Sequence, residues 1–163
     1  MTGKKSTLYE QLIERQKGAH LSGYHYESCW FAHAIFEDRT SSIMANSADG
    51  TGSKMFISDK IAEIEGRRNA TVAKVINGKP VRKNGRKVKK PKWPNLQTLE
   101  EATISGLKDW VTDRNTLVHK LAIGKITMSE ADKIAKKQSL EGLDLTREIC
   151  SAARRVKKYS LLD

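Results

Sequence analysis

Apolar residues recur at three- and four-residue intervals along most of the chain, the period of a helix that buries one face. The clearest stretch runs from Tyr24 to Ala45, where Tyr26, Cys29, Trp30, His33, Phe36, Ile43 and Met44 make a stripe wide enough for the central helix of a bundle. Ahead of it, Thr7 and Glu10 match a capping box, in which a hydroxyl and an acid three residues later satisfy each other's free backbone N–H groups; they are expected to open a first helix. A third helix is expected over 58–68, burying Ile57, Ile61 and Ile64. Thr98 with Glu101 opens a fourth, which ends near Ala122 because Gly124 is placed to adopt the left-handed conformation that closes helices. Ser129 with Asp132 opens a fifth. Gly142 is expected to break it before Leu145, Ile149, Ala152, Ala153, Val156 and Tyr159 return to one face.

Residues 70–96 depart from this period. Asn77-Gly78 and Asn84-Gly85 are turn dipeptides, Pro80, Pro91 and Pro94 exclude helix, and short β-branched pieces lie between them. The expected fold is therefore all-α, a single-domain bundle of about five helices over 1–163, with a basic loop or β-hairpin inserted between the third and fourth helices. No internal repeat is evident. The glycine-rich DGTGSK at 49–54 fails the G-x-x-x-x-G-K-[ST] spacing of a phosphate loop and reads as a helix connection.

Charge sharpens the picture of the insert. The chain carries a net charge of +11, and Arg67, Arg68, Lys74, Lys79, Arg82, Lys83, Arg86, Lys87, Lys89, Lys90 and Lys92 supply all of it, with no acidic residue between Glu65 and Glu100. Like charges without compensation repel one another until a polyanion neutralises them, so the expected partner is nucleic acid, RNA before DNA. Within the insert Arg82, Lys83, Arg86, Lys87, Lys89, Lys90 and Lys92 are the candidate phosphate contacts, and Trp93 a candidate stacking surface for an unpaired base. An acidic protein is the competing partner. No run approaches about 20 uncharged apolar residues, and the opening MTGKKST lacks the apolar core of a secretory signal, which gives a cytoplasmic, membrane-free expectation. Cys29 and Cys150 have neither disulfide-framework nor zinc spacing and read as reduced, packed thiols. No motif for metal, serine-hydrolase or dinucleotide chemistry is present, so no cofactor is expected.

Candidate chemistry sits in RNTLVH, residues 114–119. At about 100° per residue, Leu99, Thr103, Leu107, Trp110, Val111, Leu117, Val118 and Leu121 share one apolar arc, and Arg114 falls in its middle. A buried guanidinium needs a carboxylate or a bound phosphate, and Glu37 and Asp38 near the end of the central helix are the expected carboxylates. His119 lies about 140° around the helix from Arg114, outward, with Asn115 one turn before it. It also occupies the last helical turn, where the dipole favours the imidazolium. Arg and His point apart, so a second surface is needed to bring them to one phosphate. His33, on the apolar stripe, reads as a core histidine, and His20 and His25, flanking Gly23, carry no signal.

Arg114-Asn115-xxx-His119 resembles the R-x4-6-H motif, often RNxxxH, of the HEPN superfamily. That resemblance implies a helical bundle that dimerises, placing two motifs in one composite cleft that cleaves RNA without metal. His119 would then serve acid–base transfer, Arg114 would neutralise the phosphorane, and Asn115 would orient the phosphate or the imidazole. It further implies a toxin-like or phage-defence setting, with a cognate antitoxin or regulatory protein as a possible partner. Leu121 stands where HEPN toxins paired with nucleotidyltransferase antitoxins have Tyr, which sets the chain apart from that subgroup. RQKGAH at 15–20 fits the spacing too, without the Asn. The alternative expectation is a non-catalytic nucleic-acid-binding protein that works through the insert.

Overall fold

The computed structural model describes residues 2–47 and 55–160, with side chains from Leu8 onward. Five helices carry the fold: α1 (Thr2–Leu21), α2 (His25–Ala45), α3 (Ile57–Asn69), α4 (Glu101–Ala122) and α5 (Met128–Ser160). Between α3 and α4 lie six short strands and a 3₁₀ turn, Pro94–Thr98. The glycine-rich stretch 49–54 lies outside the described residues. No helix among them is long and apolar enough to cross a membrane.

The central position of α2 follows from its composition. It packs most extensively on α5, with α1 and α3 on its other flanks. Of the expected stripe Cys29, Phe36, Ile43 and Met44 are buried, but Trp30 is 66% exposed and Tyr26 is exposed too, while Ala32 and Ile35, outside the stripe, are completely buried. Phe36 meets Trp110 of α4 edge-on, ring centres 5.0 Å apart at 82°. The Trp110 indole N–H donates to the Gln138 carbonyl of α5 at 2.8 Å, one turn before Gly142.

This contact corrects the expected break at Gly142, because α5 runs unbroken through it. A Cβ at 142 would lie 3.2 Å from Ala32 Cβ and 3.3 Å from Trp110 Nε1. Glycine is there so that α2 and the indole can approach the α5 backbone, a packing demand that outweighs its poor helix propensity.

The helix starts also differ from expectation. Thr7 lies inside α1, and Thr98 lies in the 3₁₀ turn, where its hydroxyl donates to Asn95 O rather than capping α4. The working capping box on α5 is Thr127–Glu130, two residues before the expected pair. Thr127 N–H and O–H both donate to Glu130 Oε2 at 2.8 Å, and Glu130 N–H returns to Thr127 Oγ1 at 3.2 Å. Ile126, partly buried beside Ala131, supplies the hydrophobic staple that fixes this register. The end of α4 is as expected: Gly124 has φ +68°, with Lys125 N–H on Lys120 O and Gly124 N–H on Leu121 O.

The insert is a folded three-armed module. Strands β1 (Thr71–Ala73) and β6 (Lys89–Pro91) pair as its stem, and β2 (Val75–Ile76) pairs with β3 (Lys79–Pro80). The third arm is β4 (Arg82–Lys83) with β5 (Arg86–Lys87). The arms radiate from a closed ring of backbone bonds, Lys74 N–H to Val88 O, Val88 N–H to Val81 O and Val81 N–H to Lys74 O, at 2.7, 2.9 and 2.8 Å. Two seven-residue units, VINGKPV at 75–81 and RKNGRKV at 82–88, build the free arms, a repeat missed from the sequence. Asn77, Gly78, Asn84 and Gly85 all have positive φ, the mark of I′ turns.

Gly142→Val is expected to cost about 1–3 kcal/mol by overpacking. Thermal denaturation would register this as a clear fall in Tm, whereas a helix-breaking glycine would give an increase.

Candidate functional site

The motif helix turn lies away from the main core. Trp110 and Val111 belong to that core, but Leu117 belongs to a satellite cluster with Ala131 and Ala135, where α4 turns into α5. Val118, placed on the apolar arc by the wheel, is 50% exposed.

Arg114 is half-buried, one turn beyond Trp110 on the side facing α2. Its Nη1 donates to Asn115 Oδ1 at 3.1 Å. Among the described residues no carboxylate pairs with it, which corrects the expected pairing with Glu37 or Asp38. Glu37 is engaged by Lys60 of α3, whose side chain is 2% exposed and which therefore needs a counter-charge more than Arg114 does. Asp38 accepts from Arg39 at 2.6 Å, and the Arg39 guanidinium lies 3.7 Å from the centre of the Tyr9 ring. Arg114 instead lines an apolar concavity beside α2 and bonds its neighbour on its own helix.

Two concavities flank α4. One, of about 230 Å³, is lined by Arg114 together with Tyr26, Cys29, Trp30 and Val118. The other, an open groove of about 460 Å³, is lined by Asn115, Thr116, His119, Lys120 and Lys125. Asn115 thus links the two sides, bonding Arg114 while lining the His119 groove. The sides differ electrostatically. Burial pushes the Cys29 thiol up to about 12 even with Arg114 opposing, so it is no nucleophile. Both cysteines are free and buried. Burial, then Arg114, push the His33 imidazole below its ordinary value, with Glu37 opposing.

A cluster without sequence signal lies at the α1–α2 turn. The Ser139 hydroxyl of α5 is 2.6 Å from His20 Nδ1 and 3.3 Å from His25 Nδ1, and the two rings are 5.4 Å apart. Desolvation, then His20 and Lys136, push His25 below its ordinary value, against Asp132. His25 opens α2, where the dipole also disfavours a cation.

In the insert, Arg82, Lys83, Arg86, Lys87, Lys89, Lys90 and Lys92 are all exposed. Trp93, the candidate stacking surface, is half-buried. It packs against the main core, and the Lys92 ammonium lies 5.1 Å from its ring centre. Among the described residues no three His, Cys, Asp or Glu side chains are grouped to hold a metal ion. No family model, curated protein or solved structure matches the chain.

Two outcomes follow. Glu37→Gln is expected to lower stability by about 1–3 kcal/mol, less than for a fully enclosed pair because Glu37 is part-exposed, and added Lys60→Met to recover it; a denaturant melt of both variants checks this. His25 and His33 both sit below the ordinary imidazole value of 6.5. The folded state therefore binds fewer protons than the unfolded chain below that value, and stability falls as pH drops through it. Tm should decline between about pH 7.5 and about 5.5, and His25→Gln with His33→Gln should flatten the decline.

Proposed function

We propose that the protein is a metal-independent endoribonuclease of HEPN type, acting in the cytoplasm as a homodimer in a toxin-like or phage-defence system. The observation that carries this reading is the groove of α4. An exposed imidazole, an amide and two ammonium groups share one open concavity, and the amide is hydrogen-bonded to Arg114. In the proposed reaction a base, His119 of one copy, accepts the proton of an RNA 2′-hydroxyl. The 2′-oxygen then bonds to the adjacent phosphorus, and the bond to the 5′-oxygen breaks as an imidazolium returns a proton to it. Arg114 neutralises the charge that grows on the equatorial oxygens.

Within one chain, Arg114 and His119 line opposite sides of α4, so one phosphate cannot reach both. A second copy supplies the missing side. The exposure of Trp30 (66%) and Val118 (50%) beside Arg114 supports such a contact, because aromatic and apolar surface next to a functional arginine is what an interface covers. An antitoxin or regulatory protein is a further proposed partner.

Purified protein given labelled single-stranded RNA in EDTA is expected to leave 2′,3′-cyclic phosphate and 5′-hydroxyl ends. His119→Ala should slow this roughly a hundredfold or more. Trp30→Asp should reduce both the dimer mass in light scattering and the cleavage. Undiminished cleavage by the His119 variant would remove the reading.

A second reading, a nucleic-acid-binding protein without catalysis, is favoured by the exposed cations of the insert. Deleting 77–92 separates the two: a binding protein loses nearly all affinity, while a nuclease keeps its chemistry at raised KM.

A further inference from the structure

The two free arms of the insert are built on the same turn but carry different side chains. The β2–β3 arm pairs Val75 with Pro80 and Ile76 with Lys79, one cation in four positions. The β4–β5 arm pairs Arg82 with Lys87 and Lys83 with Arg86, four cations in four positions. Like charges directly opposite each other destabilise a ribbon, and the sister arm folds into the same turn without them. The cations therefore serve something other than the hairpin.

Their placement says what. Paired residues share a face and adjacent pairs face oppositely, so Lys83 and Arg86 lie on one side of the ribbon and Arg82 and Lys87 on the other. All four are exposed. A single strand lying on one face would leave half of the charge unmatched. A groove with a phosphate wall on each side matches both. The major groove of B-form DNA, about 12 Å wide, admits a two-stranded β-ribbon, whereas that of A-form RNA is deep and narrow. The arm closes on an I′ turn at Asn84-Gly85, with Arg82 Nη1 donating to Gly85 O at 2.9 Å.

We propose that the β4–β5 arm is a ribbon that enters the major groove of duplex DNA and neutralises phosphates on both walls. This rests on nucleic acid being the partner and not on cleavage, since the arm and the α4 groove share no residue.

The test is fluorescence anisotropy of the full-length protein on a DNA duplex, an RNA duplex of the same sequence and the single strands, across a salt series. Tightest binding to the DNA duplex is expected. Replacing Arg82, Lys83, Arg86 and Lys87 together by Gln should flatten the slope of log K against log salt by about 3 to 4. Replacing the exposed Lys133, Lys137, Lys157 and Lys158 by Gln removes the same charge and should leave the slope near that of the parent. Gly85→Val keeps every charge but strains a residue at φ +76°, and should weaken duplex binding; the arm lies outside the core, so an unchanged Tm verifies the fold. RNA duplex or single strands bound as tightly as DNA would overturn the proposal, and so would a Gly85→Val protein of parental affinity, which would make the arm a flexible polycation. The kcat of RNA cleavage, to which the arm contributes no residue, reads independently of all these outcomes.

Discussion

The bundle turns on the seat of one indole. Trp110 projects from α4 into the angle between α2 and α5, takes the Phe36 edge, and spends its single N–H on the Gln138 carbonyl. Buried indole nitrogen requires such a partner, and the partner fixes how far the ring enters. Gly142 is what lets it enter. Because Trp110 can sit in only one way, the rotation of α4 is set. Arg114, one turn later, must face α2, and Asn115 and His119 must face away. The division of the motif between two sides of the helix is thus a consequence of core packing some distance from it.

Much of this was legible in periodicity. The Cys29, Phe36, Ile43 and Met44 part of the α2 stripe and the closure of α4 at Gly124 depend on local patterns that the fold leaves intact. What failed depended on competition between local signals and contacts distant in sequence. Thr127–Glu130 and Ser129–Asp132 both satisfy the capping-box pattern, and only the burial of Ile126 chooses between them. Gly142 reads as a break by propensity and is a packing site in fact. A helical wheel places Arg114 in the core because it tracks Cα directions, whereas a long side chain can carry its charge out to Asn115. The Ser139 cluster had no sequence signal, since its hydroxyl comes from a helix more than a hundred residues away from the histidines.

Lys60 illustrates how one buried charge redistributes others. An ammonium 2% exposed between α2 and α3 holds Glu37, which removes the carboxylate that Arg114 was expected to use. Asp38 is held in turn by Arg39 beside Tyr9. Arg114 is left without a carboxylate among the described residues, still cationic, at the rim of an apolar concavity. That is a suitable state for a group whose proposed role is to meet a phosphate, because a structural ion pair would have to be broken first.

The same separation of roles applies to the insert. Its charges stand on arms joined to the bundle through the stem, where Lys92 N–H bonds Ala70 O at 2.8 Å and Trp93 packs on the core. The hub of three backbone bonds holds the three arms to one another, and no acidic residue lies within the insert to neutralise them. Binding there needs only one chain, whereas the proposed chemistry at α4 needs a second copy to join Arg114 with His119. On that proposal affinity and catalysis would scale differently with protein concentration, the first saturating with sites and the second with dimer, so the dimer equilibrium itself would control cleavage.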